Sequence, residues 1–216
     1  MRLLSARYFI VYAVLFLIVT GCGKEYLSEA DLAKYVSDND NGLTKSVQSG
    51  QTRISVSWQP NDLLVARELR NKKLITPGML REARAKYAGQ HYFILRLSQS
   101  GKEIVTPTQV GIAGFSELLQ TLSFGMADKV LLVGSKRDTT HVADYVYSRT
   151  FGAATSSDVL FAFKKNELDP GSSYIEFNLD EFGLGTSKRV FRFEVEDLNE
   201  APGIFDEEEL LKSIKK

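Results

Sequence analysis

The chain has 216 residues, with 27 Lys and Arg against 27 Asp and Glu, a formal charge of zero; 44% of it is hydrophobic and 25% charged. That composition is ordinary for a globular protein and excludes wholesale disorder, fibrous repeats and the basic excess of an electrostatic nucleic-acid binder. A single cysteine excludes an intramolecular disulfide framework and any multi-cysteine zinc or iron–sulfur site.

The first element in chain order is a leader. Arg2 and Arg7 make a positive start, and from Tyr8 to Thr20 only Thr20 lies outside the apolar set. Such a run is short for a transmembrane helix, which needs about 20 apolar residues, and fits the hydrophobic region of a secretory signal peptide. It ends in Val19-Thr20-Gly21-Cys22, which resembles the lipobox of bacterial lipoproteins. The resemblance implies recognition of Val19, Thr20 and Gly21 by a signal peptidase, removal of residues 1–21, and a diacylglyceryl or acyl lipid on Cys22. The competing reading is a short buried helix with an incidental thiol. Removing residues 1–21 leaves 25 basic against 27 acidic side chains, a net charge of −2.

After a short anchored stretch at 22–27, residues 28–216 read as one globular α+β domain. Ser28-Glu29-Ala30-Asp31 has the pattern of a capped helix start, continued by Leu32 and Val36 and stopped by Asp38-Asn39-Asp40-Asn41-Gly42. Ile54, Val56 and Trp58 alternate with serines, a half-buried strand closed by Pro60. Asn61 or Asp62 is expected to cap a helix through Leu63, Leu64 and Leu69; Thr76-Pro77 opens another that Gly89 stops. Strands are expected at Tyr92–Leu97, Val130–Val133, Thr140–Thr150, Val159–Phe163, Tyr174–Leu179 and Val190–Val195, with an amphipathic helix at Phe115–Met126 among them. Alternation in the last two strands suits antiparallel pairing with one wet face. The resulting expectation is an antiparallel sandwich or curled sheet, with packed helices mostly in the N-terminal half. The tail from Asp206 reads as a terminal helix with acids at its start and lysines at its end.

Catalytic motifs are sparse. His91 and His141 lie fifty residues apart in strand patterns, without the clustered ligands of a zinc site. Gly-x-Ser-x-Gly and phosphate-cradling glycine motifs are absent, although a dispersed Ser-His-Asp triad or a carboxylate pair needs no local motif. Gly183-Leu184-Gly185 reads as a turn requiring positive φ rather than a dinucleotide loop. Asp38, Asp40 and Asn41 lack the spacing of a calcium loop, so no metal site and no cofactor beyond the lipid is expected. Tyr145, Tyr147 and Arg149 share one strand face that deserves attention if it is exposed.

Asn41-Gly42-Leu43, the stretch from Leu122 to Asp128, and Tyr147-Ser148-Arg149-Thr150-Phe151-Gly152 resemble a family of uncharacterised bacterial envelope lipoproteins, whose members tend to carry an acid where Ser148 stands. The resemblance implies the anchor and brings no activity. The expected protein is thus lipid-anchored to a membrane of the cell envelope, without nucleic acid, acting as a non-catalytic binding or scaffold component with an envelope protein as possible partner. The alternative is an envelope hydrolase with a dispersed active site.

Overall fold

A computed structural model describes residues 25–104, 107–150 and 153–214; the leader, including Val19, Thr20, Gly21 and Cys22, lies outside the described residues. Among the described residues nine strands form one antiparallel sheet: β1 (Thr44–Ser49), β2 (Thr52–Gln59), β3 (Gln90–Gln99), β4 (Lys102–Glu103), β5 (Val130–Gly134), β6 (Thr139–Ser148), β7 (Ser157–Lys164), β8 (Tyr174–Leu179) and β9 (Arg189–Glu194). Their order is β1-β2-β3-β7-β6-β5-β8-β9, with β4 a short addition to β3. The sheet curls until its two edges approach, and Arg189 of β9 donates to Ser49 Oγ of β1 at 3.0 Å. The architecture is therefore a nearly closed barrel and not the sandwich that strand patterns alone allow.

Strand β6 turns the corner. Its first residues pair with β5, from Thr139 to His141, and its later ones with β7, from Val142 to Ser148. Between Val142 and Asp144 the register shifts by the extra residue Ala143. An extra residue on one strand bends it and raises the local twist, which a sheet needs to curl onto itself.

Alternation then fills the interior. Ile54 and Val56 of β2, Phe93, Leu95 and Leu97 of β3, Phe161 and Phe163 of β7, Phe177 and Leu179 of β8 and Phe193 of β9 point inward and are almost fully buried. Phe93 packs against Phe163, Phe177 and Phe193 with ring centroids 6.0, 5.5 and 5.2 Å apart, in tilted or edge-on geometry. Tyr145 and Tyr147 also lie on the inward face and pack on this core, Tyr145 stacked on Phe161 at 5.8 Å. The exposed partners on β6 are Asp144, Val146 and Ser148, while Arg149 lies beyond the strand's end. Tyr145 and Tyr147 thus pack half-buried against the core, and Arg149 does not continue their face as a strand residue.

Among the described residues six α-helices surround the sheet: α1 (Glu29–Ser37), α2 (Asn61–Leu69), α3 (Pro77–Ala88), α4 (Pro107–Gln120), α5 (Val195–Glu200) and α6 (Glu207–Ile214). They are spread along the chain and are not gathered in its N-terminal half. Ser28 caps α1 by accepting from Asp31 N, and Thr76 caps α3 by accepting from Met79 N. Asn61 and Asp62 do not cap α2: Pro60 occupies the cap position and both residues lie inside the helix. Helix α4 begins eight residues earlier than the apolar spacing of Phe115–Met126 suggests and runs into a wider π turn at Thr121–Gly125. This run buries Leu118, Leu122 and Met126 against the core and leaves Phe124 exposed. Helix α5 replaces the expected end of the last strand at Val195.

Gly42 has φ of 74°, and a Cβ there would collide with the Asp197 carboxylate of α5. That crowding gives Asn41-Gly42-Leu43 a structural reason, since Leu43 is fully buried and Asn41 Nδ2 donates to Tyr35 O at 2.9 Å. The turn at Gly183 and Gly185 has φ of 99° and 65°, as expected, and the Glu181 carboxylate accepts their N–H groups at 2.7–3.0 Å. Phe93 is the hub of the aromatic interior, so Phe93→Ala is expected to cost about 3–5 kcal/mol in urea unfolding. A loss of less than about 1 kcal/mol would show that the barrel interior does not depend on this ring.

Candidate functional site

The inward row of β3 continues past Phe93 to His91, at the end of the barrel where the aromatic filling stops. His91 stands beside Phe163 of β7, and the neighbouring inward position of β2 is Trp58, opposite Phe93. Trp58 Nε1 donates to His91 Nδ1 at 3.4 Å. Lys165 follows directly after β7, held by its backbone N–H bonded to Gly89 O at 3.0 Å. The start of α2 supplies Asn61 and Asp62, and α5 with the loop after it supplies Leu198, Asn199 and Gly203. Together these residues line a cleft of about 280 Å³.

The electrostatics of the cleft are uneven. Burial pushes the His91 imidazole down to about 4, with the nearby Lys165 charge adding to the effect. Because Nδ1 accepts from the indole, the ring is neutral with its proton on Nε2. Burial also lowers the Lys165 ammonium from its ordinary value. Among the described residues Lys165 has no ion-pair or hydrogen-bond partner for Nζ. Asp62 is committed elsewhere. Burial alone would raise its carboxyl, but the Arg84 guanidinium at 2.9 and 3.0 Å and the N–H groups of Ile204 and Phe205 bring it below the usual carboxylate range. Asn61 Nδ2 donates to Tyr87 O at 3.0 Å, while its Oδ1 is buried without a donor among the described residues.

The residues singled out from the sequence are distributed differently. His141 is exposed on β6 and is not part of the cleft. Asp38 Oδ1 accepts from Asp40 N at 3.1 Å, which makes that acidic stretch a turn at the end of α1. No group of three or more potential metal ligands occurs among the described residues. Trp58 and Lys165 were not legible as site residues, since one reads as a core strand residue and the other as a charge after a strand. Only pairing of β2 with β3 and β3 with β7 brings them beside His91.

A second depression of about 630 Å³ crosses the outer face near the β1–β2 and β3–β4 turns, lined by Gln48, Arg53, Arg96, Ser98 and Thr155 among others. It is broad, and Arg96 is already held there by Asp158 in a bidentate pair at 2.9–3.2 Å. The smaller cleft holds the two titratable groups that burial shifts furthest toward neutrality among its lining residues, His91 and Lys165.

Chemically, the cleft offers a neutral imidazole, an unpaired ammonium and an indole. No carboxylate orients the imidazole, and no hydroxyl or thiol is hydrogen-bonded to it among the described residues, so a nucleophile–base pair is not assembled there. No protein-family model, curated protein or solved structure matches the chain.

The His91 shift has a stability consequence. The unfolded chain binds a proton below pH 6.5, while the folded chain resists it until about pH 4. Stability therefore falls as pH drops through this window, with a loss of about 2 kcal/mol between pH 7 and pH 5 from this group. Urea unfolding of His91→Gln beside the unsubstituted protein at both pH values checks it. An identical pH dependence in the two proteins would remove His91 as a buried neutral base.

Proposed function

We propose that the chain is a lipid-anchored protein of the cell envelope, a non-catalytic binding component whose ligand site is the cleft at the end of its barrel. The observation that carries this reading is where the chain enters the fold. Gly203 N donates to Glu25 O at 2.9 Å, Leu27 N donates to Gly203 O at 2.8 Å, and Gly203 itself lines the cleft. Cys22 is three residues from Glu25, and an extended chain spans at most about 3.3–3.6 Å per residue. A lipid on Cys22 is therefore at most about 11 Å of chain from Glu25, whose carbonyl is bonded to the cleft residue Gly203.

The anchor itself rests on the leader and on Val19, Thr20, Gly21 and Cys22. A diacylglyceryl group, with or without a further acyl chain, supplies the two or more chains that durable anchoring needs. No helix among the described residues is long and apolar enough to cross a membrane. Binding is favoured over hydrolysis because the indole occupies His91 Nδ1 and the acid that lines the cleft, Asp62, is spent on Arg84.

Metabolic labelling with a fatty acid tests the anchor. The unsubstituted protein is expected to incorporate label and migrate as the processed chain; Cys22→Ala is expected to remain unlabelled with its leader attached. Labelling of Cys22→Ala at the same level would overturn the reading.

A further inference from the structure

Two N–H donors on the cleft wall have no acceptor. Lys165 lines the cleft half-buried, and its Nζ has no hydrogen-bond or ion-pair partner among the described residues. Burial lowers its ammonium, and no carboxylate acts on it to counter that effect. The Trp58 indole takes His91 Nδ1, so Nε2–H is the ring's remaining polar group, also without an acceptor among the described residues. Both nitrogens stay accessible, unlike the enclosed Asn61 Oδ1 on the same wall. The two side chains are neighbours, since the Lys165 charge acts on the His91 ring.

Charge limits what can fill this space. The imidazole is neutral at pH 7, and the acid among the described lining residues, Asp62, is matched by Arg84 in a two-point pair. That leaves the formal charge of Lys165, which a single negative charge cancels. A dianion brings a second charge that no other described lining residue meets with a cation. A neutral molecule leaves the ammonium partly desolvated and unpaired, which is costly. A carboxylate carries one charge on two acceptor oxygens, and the wall presents two donors, one from β3 and one from the end of β7.

Much of the remaining wall is apolar: Trp58, Pro60, Val195, Leu198 and Pro202. A cavity of about 280 Å³ lies at the small end of ligand sites, with room for a short body and none for a long acyl chain. We infer that the cleft takes a small monocarboxylate with an aliphatic body, its oxygens on Lys165 Nζ and His91 Nε2–H and its body against Trp58 and Leu198. This rests on the reading of the cleft as a binding site and is independent of the anchor at Cys22.

Trp58 is the only tryptophan and lines the cleft, so its emission reads occupancy directly. The full chain is held in a neutral alkyl maltoside, which carries neither carboxylate nor phosphate, at constant ionic strength and about pH 7.5, where methyl phosphate is mainly a dianion. 4-Methylpentanoate is titrated beside 4-methylpentanamide, which has the same body without the charge, and beside methyl phosphate. A saturable change in emission is expected with the carboxylate, at least about tenfold tighter than with either of the others. Lys165→Met is expected to weaken the carboxylate titration by a similar factor. Lys164→Met, which removes a neighbouring exposed lysine paired with Glu167, is expected to leave it unchanged. Saturation with the carboxylate is also expected to raise the His91 midpoint above about 4 in ring-proton NMR, because a nearby negative charge favours the imidazolium.

An amide or methyl phosphate that binds as tightly as the carboxylate overturns the inference and leaves the cleft a binding site of other chemistry. An unchanged Lys165→Met titration, or a His91 midpoint that ignores the bound carboxylate, also overturns it. Silence toward all three compounds overturns the inference together with the reading of the cleft as the ligand site, and leaves the anchor to the labelling result. The three-compound comparison uses the unsubstituted chain, so it decides the inference whatever the stability of Lys165→Met.

Discussion

Closure of the sheet around a set of aromatic rings is the constraint from which the rest of the molecule follows. Phe93, Phe161, Phe163, Phe177 and Phe193 come from four strands that are far apart in sequence, and their rings meet at 5.2–6.2 Å. Because side chains alternate along a strand, a one-residue slip would send each strand's inward row to solvent. The aromatic interior therefore locks the register of β3, β7, β8 and β9 together. The bulge at Ala143 lets β6 serve two neighbours and bring β5 and β8 round to face β3.

The cleft is the place where this filling stops. His91 and Trp58 occupy the inward positions next to the phenylalanine layer, where the barrel end is covered by α2 and α5 instead of by further strands. Apolar walls on one side dry the imidazole and the Lys165 ammonium, and the helices on the other leave room above them. Asp62 shows the same division of labour. Its carboxylate ties α2 to Arg84 of α3 and to the backbone of Ile204 and Phe205, which fixes the cleft wall and leaves Lys165 uncompensated.

Local patterns were read well where their cause is local. The alternation of Ile175, Phe177 and Leu179 against Glu176 and Asn178 is that of β8, and Ser28 and Thr76 cap the helices they precede. Each depends on residues within one turn or one strand. The local pattern offers Asn61 or Asp62 as a cap, whereas the partners of Asp62 lie 22 and 142 residues away. Strand β1 went unread because its exposed Ser46 and Gln48 dilute the alternation, and its pairing with β2 is what holds it extended. Alternation alone carries β9 on to Val195, yet the Val195 backbone N–H reaches Ser173 O and the chain turns into α5.

The sequence by itself determined the antiparallel character of the strands, the helix starts at Ser28 and Thr76, and the positive-φ turn at Gly183 and Gly185. All of these follow from side-chain periodicity, capping chemistry or composition along a short segment. Only the tertiary structure decided that the sheet curls into a nearly closed barrel, that Tyr145 and Tyr147 fill it, and that Trp58, His91 and Lys165 share one cleft. Those outcomes depend on which strands become neighbours and on how much water the neighbours exclude. Periodicity along a chain carries information about faces, and none about which distant face will meet it.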